Sequence, residues 1–380
     1  MGYRLDMSLP IPSISPTTQE RIVRPFIQGF SSEAVQCATT DRAFAGPNLS
    51  KWFRAQRKLG SRDRRIVSEV VYILIRFERW FVANGLLSES LHPESDLTNV
   101  FAWMNDPTPL QQFDLATHLS IPDWMATTLS EIPDINNFAQ HHQQRAPLDL
   151  RCNAQNTTRK KVQSALTRRD ILCQPIPNTE HGLRIQGTAN IQSDALYTQG
   201  KFEVQDAASQ YFIERLRPHI TKGTTALDYC AGAGGKSLAL AALGAKVYAN
   251  EPRTHALDEL KKRAKRANLP IRTGIPKNKV DIVVVDAPCS GTGRLRREPT
   301  VRWKWEAQPP LDWVPIQQQI LTEAAQYVKE DGIIAYATCS ILPQENNHTL
   351  DGWTADRHTI YGHERNCDGF SWSIFKRSTQ

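Results

Sequence analysis

The carboxyl-terminal half of this 380-residue chain predicts a Rossmann-like, doubly wound α/β sheet. Three observations predict it. Apolar runs of strand length stand at Thr224–Asp228, Ala245–Asn250, Asp281–Asp286 and Gly332–Thr338. Helical stretches lie between them at Lys236–Leu243, Thr254–Asn268 and Pro315–Val328. A glycine-rich turn joins the first strand to the first helix. Strands alternating with helices of this length pack as a parallel sheet covered on both faces. Ligands of such sheets lie beyond the carboxyl ends of the strands, so the residues following each strand are where chemistry belongs.

Two further pieces precede the sheet. Residues 1 to about 25 are rich in Pro and Ser and read as an irregular arm. From about 26 to 140 the pattern is helical: NLSKWFRAQRKLGSRDRRIVSEVVYILIRFERWF sets apolar residues at three- and four-residue steps with Arg and Lys between. Ser61 followed by Asp63 can begin its second helix. Pro107, Pro109, Pro122 and Pro133 divide the remainder into short helices. From Pro147 to Gly200, LDLRCN and GLRIQG read as strands around an amphipathic helix, TRKKVQSALTRRDI, which makes a small α+β module. The expected division is a helical domain at 1–145, the α+β module at 146–200 and a catalytic domain at 201–380.

Composition narrows the partners. Lys and Arg total 46 against 39 Asp and Glu, a net charge of +7 that favours an acidic polymer. The seven cysteines, at 37, 152, 173, 230, 289, 339 and 367, form no Cys-x-x-Cys pair and no cluster with zinc spacing. No metal is expected, and an odd, sparse set suits a reducing cytoplasm. The first residues, MGYRLDMSLPIPSIS, lack the basic end and apolar stretch of a signal peptide, and Asp6 stands where myristoylation wants Ser or Thr. The most apolar run, Val70 to Ile75, is too short to span a bilayer. The expectation is a soluble, cytoplasmic, monomeric protein with no membrane partner.

The turn after the first strand reads DYCAGAGGKS, 228 to 237. Glycines there let backbone approach a ligand at a helix N-terminus. A Walker loop needs Gly where Cys230 stands, and a dinucleotide fingerprint needs Gly where Ser237 stands. A methyltransferase loop remains, since S-adenosylmethionine asks for close backbone approach and an acid for its ribose. Glu251, about twenty residues on at the end of the second strand, can accept from ribose hydroxyls or simply start a solvated helix.

The third and fourth strands each deliver a cysteine: Cys289 in VDIVVVDAPCSGTGRLRREPTVRWKW and Cys339 in IIAYATCSILPQEN. A lone Cys is more often an inert buried residue. Two at the functional edge of one sheet, each beside Ser, fit a specific chemistry. Cytosine carbon 5 is too weak a nucleophile to take a methyl group until a thiolate adds at carbon 6, and covalent catalysis splits that step. Asp286 can hydrogen-bond the pyrimidine edge as the ring accepts charge. An amino-group methyltransferase would place an aromatic after the proline, where Cys289 follows Pro288.

With these blocks the chain resembles the RsmB-type (Nop/Sun) RNA cytosine-5 methyltransferases over about 147 to 380. The resemblance rests on FEVQDAASQ (202–210), DYCAGAGGKS, DAPCSGTGRLRREP, YATCSILPQEN and the terminal DGF (368–370). It implies a class I methyltransferase sheet binding S-adenosyl-L-methionine, with Cys339 as nucleophile and Cys289 assisting product release. Cofactor contacts would fall on Cys230, Ala231, Gly232, Ala233, Gly234, Gly235, Lys236, Glu251 and Asp286. LDLRCN and onward would be the family's RNA-contacting module, and the helices around LGSRDRR and VVYILIRF look more distantly NusB-like, favouring small-subunit 16S ribosomal RNA over transfer RNA. Two departures stand out. Gly232 and Ala233 replace the usual Ala-Pro, and the family's extra strand ending in an adenine-contacting Asp has no acidic counterpart between Glu259 and Asp281, where the short LPIRTGIPKNK runs.

Four basic stretches are candidates for phosphate contact: Lys51–Arg65, Arg159–Lys161, Lys261–Arg266 and Arg294–Arg302. Lys261–Arg266 reads as a solvated helix face. Arg294–Trp305 is better placed, following the catalytic strand, with Trp303 and Trp305 available for base stacking or core packing. Two other readings compete with an RNA enzyme: a DNA cytosine-5 methyltransferase attacking through Cys289, and a non-catalytic RNA-binding or assembly protein with a degenerate cofactor pocket.

Overall fold

The computed structural model describes residues 52–55, 60–88, 99–100, 102, 114–187, 189–305 and 309–378. The expected irregular arm and part of the basic stretch Lys51–Arg65, residues 51 and 56–59, lie outside them. The chain forms two compact units: 1–145 with 294–310, and 146–293 with 311–380.

The described part of the first unit is helical, with α1 (Ser61–Ala83), α2 (Leu115–Leu119), α3 (Asp123–Leu129) and α4 (Ile135–Gln143). Helix α1 begins at the Ser61 expected of it, and its three- and four-residue apolar spacing puts Ile73, Phe77, Trp80 and Phe81 in the core. The Asp114 carboxylate caps α2 by accepting from the Thr117 amide at 2.8 Å. Among the described residues no helix is long and apolar enough to cross a membrane.

Segment 294–310 corrects one expectation. Arg296 and Arg302, offered by the sequence to RNA phosphates, are buried at 4% and 1% exposure. The Arg302 guanidinium donates to the carbonyls of Leu119 (2.8 Å), Leu295 (2.7 Å) and His142 (3.3 Å). Burial, with Arg76 repelling it, lowers its pKa to about 9. Arg76 in turn donates to the Arg296 carbonyl at 3.1 Å, and the Trp124 indole donates to the Trp305 carbonyl at 2.8 Å. A run of arginines in a sequence reports charge but not which guanidinium finds a row of carbonyls.

The second unit holds two sheets. The smaller runs β2–β3–β1–β4, all antiparallel, from β1 (Leu148–Cys152), β2 (Cys173–Pro175), β3 (Gly182–Ile185) and β4 (Phe202–Val204). Helix α5 (Arg159–Thr167), capped by the Thr158 hydroxyl, packs Val162 and Leu166 against Leu150, Leu183 and Phe202. The sequence shows two of these strands; β2 and β4 are three residues each, too short to display alternation.

The larger sheet is built from β5 (Thr225–Asp228), β6 (Lys246–Ala249), β7 (Ile271–Thr273), β8 (Val280–Asp286), β9 (Val328–Thr338), β10 (Trp353–Ile360) and β11 (Phe370–Arg377). Its order is β10–β11–β9–β8–β5–β6–β7, parallel from β7 through β9 and antiparallel at β11 and β10. Helices α6 (Ala207–Leu216), α7 (Gly235–Ala242) and α8 (Thr254–Ala267) bury Phe212, Leu238, Leu240 and Ala264 with Ile282, Val284 and Ala335. Alternate residues Val283, Val285 and Ile334 pack with Leu321 and Ala324 of α9 (Trp313–Ala324). The four expected strands are all present, with both faces covered. The additional strand β7 exists despite its short sequence, pairing with β6, but it ends in Thr273–Gly274 rather than an acid. Strands β10 and β11 escape the sequence pattern because they join by an antiparallel connection without a helix, and β10 mixes polar with half-buried residues.

Candidate active site

Strand order reverses between β5 and β8, so the carboxyl ends of these neighbours open the crevice where an open parallel sheet takes its ligand. β5 closes on Asp228, wholly buried, whose Oδ2 accepts from the Ser237 hydroxyl at 2.6 Å. Its Oδ1 is buried with no partner among the described residues. Burial raises the Asp228 pKa to about 6 against the opposing Ser237 bond. The chain then turns through Cys230, Ala231, Gly232, Ala233 and Gly234 into α7, whose first residues are Gly235 and Lys236. Gly234 has φ +85°, and a Cβ there would lie 2.6 Å from Leu260 Cγ, so the position excludes any side chain. The turn lays backbone amides at a helix N-terminus, the arrangement that receives polar ligand groups.

Glu251, two residues beyond β6, folds back on this turn. Its Oε2 accepts from the Gly232 amide at 2.8 Å, and its Oε1 accepts from the Arg253 amide (2.9 Å) and Nε (2.7 Å). The Arg253 bond holds the Glu251 carboxyl below its usual range. Arg253 is not singled out by the sequence; a charge four residues after a strand gives no signal of that bond. Across the crevice, Asp286 ends β8 and meets Lys236 Nζ at 2.6 Å, while the same ammonium lies 5.0 Å from the centre of the Phe370 ring. Burial pushes the Cys230 thiol up to about 12, with Asp228, Asp286 and Glu251 adding to it, so Cys230 is an inert lining residue.

The two strand-end cysteines come together. Cys289 Sγ and Cys339 Sγ lie 3.4 Å apart, a contact between thiols and not a bond. The hydrogen bond to Cys339, then burial, push the Cys289 thiol well above its ordinary range, so it keeps its proton at neutral pH. Their loops are held rigidly. The Gly293 amide donates to the Cys339 carbonyl at 2.9 Å, and the Gly369 amide donates to the Gly293 carbonyl at 2.7 Å. A Cβ on Gly369 would fall 2.5 Å from Ile341 Cγ2 and 2.8 Å from Gly293 Cα, which explains the glycine of the terminal DGF block. Thr292 Oγ1 and Ser340 Oγ are 3.0 Å apart. The block FEVQDAASQ ties the two sheets: Gln210 donates to the Leu150 carbonyl, and Asp206 caps α6 while accepting from the Asp368 amide. Glu203 within it binds Arg263 and Arg266, which takes those two cations out of the expected solvated face.

The structure therefore gathers Cys339, Cys289, Asp286 and Lys236 on one rim and Glu251 with the glycine turn on the other. A protonated thiol beside a second sulfur can pair one nucleophile with one proton donor or acceptor. Glu345 and Gln317, also absent from the sequence reading, lie behind the Cys289 loop; Glu345 stands inside the block YATCSILPQEN, but spacing alone does not point it at Ser290.

Residues 215–374 match the family model described as 16S rRNA methyltransferase RsmB/F, and residues 121–192 match that of the RsmF/B-like ferredoxin-like domain. The probable ribosomal RNA small subunit methyltransferase B of Synechocystis sp. is 27% identical over 293 residues, 72% of this chain and 64% of that protein. The ribosomal RNA small subunit methyltransferase B of Yersinia pestis is 30% identical over 254 residues, 62% of this chain and 57% of that protein. The chain thus spans less than two thirds of the length of these curated relatives. The crystal structure of PH0851 shares the fold, with 18% identity and a TM-score of 0.71 over 98% of this chain and 100% of that one.

Proposed function

We propose, for a chain that carries the RsmB/F methyltransferase domain and its ferredoxin-like companion, that it methylates carbon 5 of cytosine in 16S ribosomal RNA. S-adenosylmethionine is the donor, and a cysteine–cytosine adduct is the intermediate. The observation that carries the reading is the pair of sulfurs 3.4 Å apart at the ends of neighbouring parallel strands. Single-thiol and amino-group chemistries have no use for the second sulfur.

The cofactor fits the opposite rim. The turn from Cys230 to Lys236 offers backbone amides and glycine surface, and the Glu251 carboxylate stands beside it for a ribose. Bound there, S-adenosylmethionine supplies an electrophilic methyl group. The chain's own residues do the rest. Cys339 adds as thiolate to carbon 6, opening the 5,6 double bond and making carbon 5 nucleophilic. Asp286, fixed by Lys236, hydrogen-bonds the pyrimidine edge while the ring accepts charge. After transfer solvent water accepts the carbon 5 proton, the freed electron pair re-forms the 5,6 double bond, and the bond from Cys339 to carbon 6 breaks with the sulfur leaving as thiolate. Cys289, the protonated partner, serves this elimination and donates to the Cys339 sulfur as it regains negative charge.

The test is direct. Purified protein, S-adenosylmethionine and unmodified 16S ribosomal RNA are incubated, and the RNA is digested for nucleoside mass spectrometry. 5-Methylcytidine, mapped to one site by bisulfite sequencing, is expected. N4-methylcytidine, a methylated purine, or methylation of transfer RNA or DNA in place of 16S RNA would overturn the reading.

A further inference from the structure

Behind the Cys289 loop sits a carboxylate that the mechanism above does not use. Glu345 is 1% exposed, and among the described residues no lysine or arginine pairs with it. Its oxygens are satisfied by neutral donors. Oε1 accepts from the Ser290 amide (2.9 Å) and from Gln317 Nε2 (2.9 Å), and Oε2 accepts from the Ser290 hydroxyl at 2.5 Å. Gln317, itself fully buried, also donates to the Pro288 carbonyl at 2.9 Å. Pro288 and Ser290 flank Cys289, so one carboxylate grips the chain on both sides of that thiol: directly at Ser290 and through Gln317 at Pro288. The backbone of Glu345 is itself anchored, because the Tyr336 hydroxyl on β9 donates to the Glu345 main-chain carbonyl at 2.8 Å. Burying an anion without a cation is costly, and a core that only needed packing would place an apolar residue here.

We propose that Glu345 is a positioning residue for the methyltransferase reaction: its buried carboxylate clamps the Cys289 loop, carried by β8, to the Cys339 loop, carried by β9, and so holds Cys289 ready for the release step. The proposal rests on the reading of Cys289 given above. It acts through geometry and through charge. The titratable groups around the Cys289 thiol are Cys339, Glu345 and Tyr336, with the Asp286–Lys236 pair beyond. After the Cys339 bond and burial, the charges of Cys339 and Glu345 oppose loss of the Cys289 proton.

Glu345→Gln keeps the shape and removes the charge; its amide oxygen can still accept from the Ser290 amide and Gln317, while its NH2 replaces the acceptor of the Ser290 hydroxyl. The first arm needs neither RNA nor cofactor. Iodoacetamide labelling of Cys289 in the full chain is followed by peptide mass spectrometry across pH; Glu345→Gln should bring the labelling midpoint down by about one pH unit. In the second arm, methyl transfer in the first turnover should stay within about threefold of wild type, while steady-state turnover falls about 100-fold, as for a group displaced from its working geometry. A denaturant-stable protein–RNA adduct should accumulate. An unchanged midpoint together with unchanged turnover overturns the proposal. Cys289→Ala is run beside it: if that variant forms no adduct, the reading of Cys289 fails, whereas an adduct there with full turnover in Glu345→Gln sinks the role of Glu345 alone. Should Glu345→Gln not fold, Ser290→Ala removes the hydroxyl end of the 2.5 Å bond, together with the longer contacts of that hydroxyl to Thr292 and Ser340, and leaves the Ser290 amide bond to Glu345 in place. A smaller shift in the same direction supports the clamp, and none overturns it.

Discussion

At the scale of single residues, the crevice concentrates groups whose charge state depends on burial. Asp228 binds its proton more tightly in the folded chain, with a pKa of about 6, than in the unfolded one near 3.8. The sign follows: below about pH 4 both states are protonated and the group costs nothing. The penalty grows as pH rises through the window and is complete above about 6. Asp228→Asn should therefore raise Tm at pH 8 and leave it unchanged at pH 4, read by calorimetry on the ligand-free chain; an equal change at both would assign the raised pKa wrongly. Gly234 carries a different constraint. With φ at +85° and Leu260 Cγ 2.6 Å from a Cβ, Gly234→Ala should destabilise by about 1–3 kcal/mol in urea unfolding and loosen the cofactor turn. Glu251→Ala should weaken S-adenosylmethionine binding at least about tenfold by titration calorimetry, one charged hydrogen-bonding group being worth that much. Unchanged affinity would move the ribose site elsewhere.

At the scale of elements, what the sequence made legible follows from how periodic each element is. β5, β8 and β9 are buried on both faces, and with the half-covered β6 they read as apolar runs, so the sequence puts Asp228, Glu251, Asp286, Cys289 and Cys339 at or just beyond the strand ends of one sheet edge. β7 is three residues long, and β10 and β11 form an antiparallel hairpin that no helix separates. Neither pattern has a period long enough to find. Long-range partners were equally invisible: the Ser290–Glu345 bond spans 55 positions and the Arg302–Leu119 bond 183. The latter decides a test. Arg302→Lys cannot reach three carbonyls at once and should cost about 3 kcal/mol, while the salt dependence of RNA binding stays as it was. Lys160 and Lys161 lie exposed on α5; replacing both with Ala should reduce the log–log salt slope by about one for each that meets a phosphate, with stability unchanged. The reverse pattern would return Arg302 to the RNA surface.

At the scale of the whole molecule, the net charge of +7 and the small sheet beside the larger one suit a polyanionic substrate, while the proposed chemistry rests on two sulfurs. The chain leaves Cys289 and, five residues later, enters segment 294–310 of the helical unit. The central claim is that Cys339 opens the reaction and Cys289 closes it. It is tested by incubating Cys339→Ala and Cys289→Ala separately with 16S ribosomal RNA and S-adenosylmethionine, then running denaturing gel electrophoresis. Cys289→Ala should accumulate a cofactor-dependent protein–RNA species in which the base is already methylated, and Cys339→Ala should form neither adduct nor product. An adduct from Cys339→Ala and none from Cys289→Ala would reverse the roles, and full activity in both variants would leave the paired thiols without a part in the reaction.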